Sequence, residues 1–190
     1  MADSVRAQLY LSLDIAEAAR LSSLLDTPHL ACVRLHIADD SAVDVAATCR
    51  ALCHERNIPL LIAGPDDAAV AVARGAEADG VHLTGSPKAA PWARRELGED
   101  IIVGIDPGPS RHETLIAAET GADYVSLSPE WDAEDALPAE LTWWAAMIET
   151  PMVVENARSA ARAGMLANVA EFIATGADEA ADVAAVLPAT

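Results

Sequence analysis

Lysine is nearly absent from this 190-residue chain: Lys88 is the only one. An enzyme working through a lysine Schiff base would have to use that residue, which sits at the start of an expected helix. Basic charge as a whole is scarce. Twelve Lys and Arg face thirty Asp and Glu, a formal net charge of −18, so nucleic acid and anionic membrane surfaces are poor partners. Most of those carboxylates read as a solvated face that keeps the protein soluble. Hydrophobic residues make up 52% of the chain, yet no apolar run approaches the roughly eighteen residues that span a bilayer. The opening, MADSVRAQ, lacks the basic start and apolar stretch of a signal peptide. Three cysteines (Cys32, Cys49 and Cys53) do not make an even disulfide framework, and a reduced, cytoplasmic protein is expected. No Gly-rich nucleotide loop, nucleophile elbow or HExxH pattern occurs.

What is present is a cadence. From Asn57 to Ser86 an apolar run (Pro59–Ala63) leads into an alanine-rich helical stretch from Asp66, and then into a second short strand, Gly80 to Leu83. Strand, helix and strand in about thirty residues make a βαβ unit with buried parallel strands. Strands are further expected at 8–13, 30–37, 101–105, 123–127 and 152–155. Helices are expected at 15–25, 41–56, 112–120 (with Ser110 as N-cap) and 139–148. Gly121-Ala122-Asp123, Ala78-Asp79-Gly80 and Gly176-Ala177-Asp178 are read as three alike helix-to-strand junctions with glycine closing the helix. That reading puts the eighth strand after Gly176, where the residues look equally helical. Repeated βα units over 1–190 predict one (β/α)₈ TIM-barrel domain with an irregular eighth unit, an open doubly wound sheet being the runner-up.

On these residues the chain resembles the thiamine-phosphate synthase and thiazole tautomerase family of small TIM barrels. Leu9-Tyr10-Leu11 is similar to its first strand, and Ala78-Asp79-Gly80-Val81-His82-Leu83 to its fourth. Gly121 to Val125 followed by Ser128-Pro129 is similar to the sixth, and Pro151-Met152-Val153-Val154 to the seventh. The resemblance implies a magnesium-dependent transferase that joins a pyrimidine pyrophosphate to a thiazole phosphate, with its working residues on the loops after the strands. Position by position, that machinery is altered. In Cys32-Val33-Arg34-Leu35-His36 the family's arginine survives, while His36 replaces a pyrophosphate-binding lysine. Ala63-Gly64-Pro65 stands where Asn-Asp-Arg carries one magnesium aspartate. Thr84-Gly85-Ser86-Pro87 stands where Gly-Gln-x-Asp carries the other. Alanine, glycine and proline side chains offer magnesium no oxygen. Glu130-Trp131-Asp132-Ala133-Glu134-Asp135 replaces a phosphate-binding Thr-Lys loop, and Asn156-Ala157 a phosphate-cradling Gly-Gly. The tautomerase histidine has no match between Asp106 and Pro109.

The barrel mouth is therefore expected to present His36, Asp106 and Glu155 as catalytic candidates and Arg34, His82, Ser128 and Asn156 as substrate-binding ones, with Glu130 beside them. Arg34 and Asp106 are expected to pair. No metal site is expected; magnesium belongs only to a surviving synthase. Cys49 and Cys53, with His54 adjacent, have a spacing compatible with metal but read as packed thiols. Trp143 and Trp144 cannot both face the core, so one is free for a subunit contact and a homodimer is carried as an expectation. Three functions stay open. The first is a divergent family member with its transferase activity weakened or lost. The second is an isomerase or lyase acting on a non-phosphorylated small molecule. The third is a non-catalytic partner protein with its mouth plugged by a side chain such as Trp131.

Overall fold

A computed structural model describes residues 7–131 and 137–188. Eight parallel strands close into a barrel in sequence order, each pairing with the next and β8 returning to β1. They are β1 (Gln8–Asp14), β2 (Leu30–His36), β3 (Leu60–Ala63), β4 (Gly80–Leu83), β5 (Ile102–Ile105), β6 (Tyr124–Leu127), β7 (Met152–Val154) and β8 (Phe172–Thr175). The helices between them are α1 (Leu21–Leu24), α2 (Val43–His54), α3 (Asp66–Ala76), α4 (Ala90–Leu97), α5 (Arg111–Glu119), α6 (Ala139–Met147), α7 (Ala160–Leu166) and α8 (Ala180–Ala184). Short 3₁₀ turns at Ile15–Arg20 and Asp40–Ala42 precede α1 and α2. No helix among the described residues is long and apolar enough to cross a membrane.

Alternation along the strands separates two apolar layers. Leu9, Leu11, Val33, Leu35, Ile62, Val81 and Val103 point outward to the helices and build the larger core. Tyr10, Cys32, Leu61, Tyr124, Val153 and Ala174 point inward and fill the barrel. Gly104 and Gly80 make room inside. A side chain at Gly104 would overlap the Tyr124 ring, and a Cβ at Gly80 would stand 2.6 Å from the Ile102 carbonyl.

The eighth strand corrects the sequence reading. It lies before Gly176, not after it, and the stretch beyond turns into α8. Gly176-Ala177-Asp178 is thus a strand-to-helix junction, with Asp178 bound to Arg20 at 2.7 Å on the surface. Of the three supposed glycine closures only Gly121, at φ 93°, follows a helix; α3 ends instead on Glu77 at φ 52°. What truly repeats is an acid just ahead of three of the four even strands, β4, β6 and β8. Asp79 accepts the Leu60 N–H at 2.8 Å, Asp123 the Val103 N–H at 2.7 Å, and Glu171 the Met152 N–H at 2.8 Å. Each carboxylate satisfies a main-chain donor at the start of the preceding strand, where the ladder leaves it without a partner.

Candidate functional site

Arg34 is the centre of the mouth. It is 4% exposed, and all its N–H groups are engaged within the barrel. Its Nη1 and Nη2 grip the Glu155 carboxylate two-pronged at 2.7 and 2.8 Å. Nη2 and Nε also reach Ser12 Oγ at 3.0 and 3.4 Å, and Nη1 reaches His82 Nε2 at 3.3 Å. The guanidinium lies 5.1 Å from the Tyr10 ring centroid, a cation–π contact. Burial opposes its charge, but the charge and hydrogen bonds of Glu155 outweigh that and hold its pKa above the ordinary value.

Hydrogen-bond inventory fixes the neighbours. Arginine has no acceptor, so His82 Nε2 must be unprotonated, and its Nδ1–H donates to Tyr124 Oη at 3.0 Å. The Tyr124 hydroxyl in turn meets that of Tyr10 at 2.6 Å. Burial, then the charge of Arg34, drives the His82 pKa well below its ordinary value, so the ring is neutral at pH 7. Burial also raises both tyrosines, which stay protonated. Ser12, its lone pairs turned to Arg34, directs its O–H to His36 Nε2 at 2.9 Å. Burial and then Arg34 push the His36 pKa down as well; Asp14, its register partner on β1, pulls weakly the other way.

The expected residues thus divide. Arg34, His36, His82 and Glu155 converge. The expected Arg34–Asp106 pair does not form: Glu155 holds the arginine, and Asp106 closes its own turn by accepting the Gly108 N–H at 2.8 Å. Glu155 leaves β7 toward the barrel axis, which is why it reaches Arg34. Two cavities meet over this network. One, about 390 Å³, is walled by Ser12, Asp14, His36, Glu155, Thr175 and Glu179 among others. The second, about 300 Å³, adds Gly64, His82, Asp106 and Ser128, and Asn156, at φ 59°, borders both. Asp106, Ser128 and Glu130 also border a separate space of about 630 Å³ toward α6. Trp131 is not among the residues lining these cavities, and Arg162 covers its ring at 4.7 Å. Asp132 to Asp135 of the acidic loop lie outside the described residues.

Ser12, Tyr10 and Tyr124 were missed in the sequence, where they pass for strand filler. The available signal was the polar Ser12 two residues beyond Tyr10 on a barrel strand, hence on the same inner face. Elsewhere the structural readings hold. Cys49 and Cys53 are buried, the latter's pKa pushed up to about 12 by burial, and His54 faces Asp79 at 2.8 Å. Trp144 is buried while Trp143 is half-buried.

The family model described as thiamine monophosphate synthase matches residues 32–186. The chain belongs to this family. The thiamine-phosphate synthase of Rhodospirillum centenum is 32% identical over 169 residues, covering 84% of this chain and 80% of that protein. That of Erythrobacter litoralis is 32% identical over 123 residues, covering 59% and 54%. Among solved structures, the thiamine phosphate pyrophosphorylase from Pyrococcus furiosus superposes with a TM-score of 0.74 at 21% identity, covering 96% of this chain and 93% of that one. The tryptophan synthase of Mycobacterium tuberculosis gives 0.72 at 16% identity, a likeness of fold alone.

Magnesium, which the family resemblance implies, does not fit the residues present. Gly64 occupies one aspartate position at φ 155°, and a Cβ there would stand 2.6 Å from the Ile37 carbonyl. Pro87 occupies the other. The nearby Asp66 is taken up by the Thr84 and Gly85 N–H groups at 2.9 and 3.1 Å. Among the described residues no three His, Cys, Asp or Glu side chains gather as a metal would need.

Proposed function

We propose that this family member has lost magnesium-dependent pyrophosphate transfer and uses its barrel mouth for a small molecule without phosphate. The observation that carries the reading is the turn at Gly64, where the β3–α3 connection has neither a carboxylate nor space for one. Two further features agree with it. Arg34 is fully committed to Glu155, Ser12 and His82, and His36, standing in for the family's lysine, is neutral at pH 7. A phosphate entering the 390 Å³ cavity would meet Asp14 and Glu179, with Glu17 already paired to Arg20 and, among the described lining residues, only Arg158 uncompensated, an unfavourable exchange for a dianion.

In this reading His36 is the acid–base group, Glu155 keeps Arg34 charged and in place, and Asn156 and Ser128 contact the ligand. Asp106 and His82 hold shape. A neutral histidine in contact with a serine at the cavity wall favours retained chemistry over a bare scaffold. The deciding assay mixes purified protein with the pyrimidine pyrophosphate, the thiazole phosphate and magnesium. No thiamine phosphate above the protein-free background is expected; enzymatic formation would overturn the loss. A parallel thermal-shift titration should show stabilisation by unphosphorylated ligands only, a site filled to a hundred times its dissociation constant adding about 2.7 kcal/mol.

A further inference from the structure

We infer that Ser12 and His36 form a nucleophile–base pair, and that the mouth transfers or hydrolyses an acyl group carried by a small neutral or cationic ester. This rests on the reading of the mouth as a phosphate-free site. Three observations support it. Ser12 Oγ lies 2.9 Å from His36 Nε2, within the reach that proton transfer to a base requires. Both residues wall the 390 Å³ cavity, so the pair faces open space rather than packed core. The guanidinium of Arg34, 3.0 Å from Ser12 Oγ, places a permanent positive charge beside the oxygen that would become an alkoxide.

The base is in the correct state. Burial and Arg34 keep the His36 ring neutral at pH 7, and Ser12 directs its proton to the vacant Nε2. Two further polar side chains border the same cavity. Thr175 is 6% exposed and its hydroxyl has no partner among the described residues. The Asn156 carboxamide borders the cavity too. The substrate class follows from charge: Asp14 and Glu179 repel anions and admit neutral or cationic molecules.

The step balances without metal or redox partner. Ser12 Oγ forms a bond to the ester carbonyl carbon, using the lone pair now held by the longer, 3.4 Å contact from Arg34 Nε, while its proton passes to His36 Nε2. Collapse of the tetrahedral intermediate breaks the ester C–O bond, and His36 returns that proton to the leaving alkoxide. Water, deprotonated by His36, then attacks the acyl carbon; the acid leaves and the proton returns to Ser12.

Two neutral probes test the pair: a fluorophosphonate, which a nucleophilic serine attacks with loss of fluoride, and p-nitrophenyl acetate. Intact protein should be phosphonylated, with the adduct mapping to Ser12 by peptide mass spectrometry. His36→Gln should slow labelling and acetate release at least tenfold while keeping a cooperative melt, and Ser12→Ala should abolish the adduct. An unlabelled Ser12 in folded wild-type protein, an adduct at another residue, or His36→Gln labelling at the wild-type rate would each overturn the pair. None of those outcomes would restore thiamine phosphate formation, so failure here is separable from failure of the transferase-loss reading.

Discussion

The two ends of the barrel use carboxylates in opposite ways. At the bottom Asp79, Asp123 and Glu171 each accept a strand N–H, and the first two also bind a surface His54 or Arg94. Their partners come from the same βα unit or its neighbour, and they work as joinery. At the mouth Glu155 reaches across the barrel to Arg34, 121 positions away in sequence, while Asp14, Glu179 and Glu130 border open cavities. An acid that caps a strand is a local matter, and its role recurs with the βα repeat. An acid that binds across the barrel exists only once the ring has closed. That contrast separates scaffold from site in a chain carrying thirty acidic residues.

The sharpest way to break the contrast is to remove one half of the mouth pair. Glu155→Leu leaves a buried guanidinium uncompensated and should cost about 3–5 kcal/mol in chemical denaturation. The double variant Arg34→Met/Glu155→Leu should recover most of that loss, which a purely local role for Glu155 would not allow. Next come the bottom acids. Asp79→Ala and Asp123→Ala should each cost about 1.5–3 kcal/mol, the range for a hydrogen bond to a charged group, and should combine additively because the two carboxylates share no partner. Coupling between them would show the ends to be less different than the geometry says.

A smaller effect comes from pH. His82 and His36 have folded pKa values below their unfolded ones. Their contribution is therefore complete above the unfolded value, near pH 6.5, and is lost as pH falls from there toward the folded pKa. In that window the unfolded chain binds protons the folded one refuses, at up to about 1.4 kcal/mol per pH unit per histidine. The groups facing His82 are Arg34, His36 and Tyr124. His82→Asn should flatten the fall in melting temperature between pH 7 and 5; an unchanged slope would sink the assignment. The smallest effect belongs to Asp106→Asn, which retains an acceptor for the Gly108 N–H and should stay within about 0.5 kcal/mol.

Most of the barrel was legible because parallel strands buried on both faces read as apolar runs. Pro59–Ala63 and Gly80–Leu83 fell within a residue of β3 and β4. Reading glycine as the recurring mark misplaces the eighth strand, because the recurring chemistry is the acid ahead of the strand, Glu171 before Phe172. At the site, Arg34, His36, His82 and Glu155 were named from their places at strand ends. The partner of Arg34 was not legible, since no local pattern distinguishes Glu155 from Asp106 as the group that turns inward. Ser12 is harder to read for a related reason: its place on the inner face of β1 is a weak signal until Arg34, its register partner on β2, stands beside it.

Gly64 also bears on how such a protein can change. If the proposed loss of magnesium chemistry is right, regaining it at this position takes more than restoring a carboxylate. Here the chain has taken a backbone shape that glycine tolerates and aspartate does not, against the fixed carbonyl of Ile37. Gly64→Asp would strain the turn before it could bind anything, so the β3–α3 connection would have to be rebuilt first. The turn is therefore an obstacle of shape rather than of chemistry: a carboxylate at this position would need the backbone moved before its charge could matter.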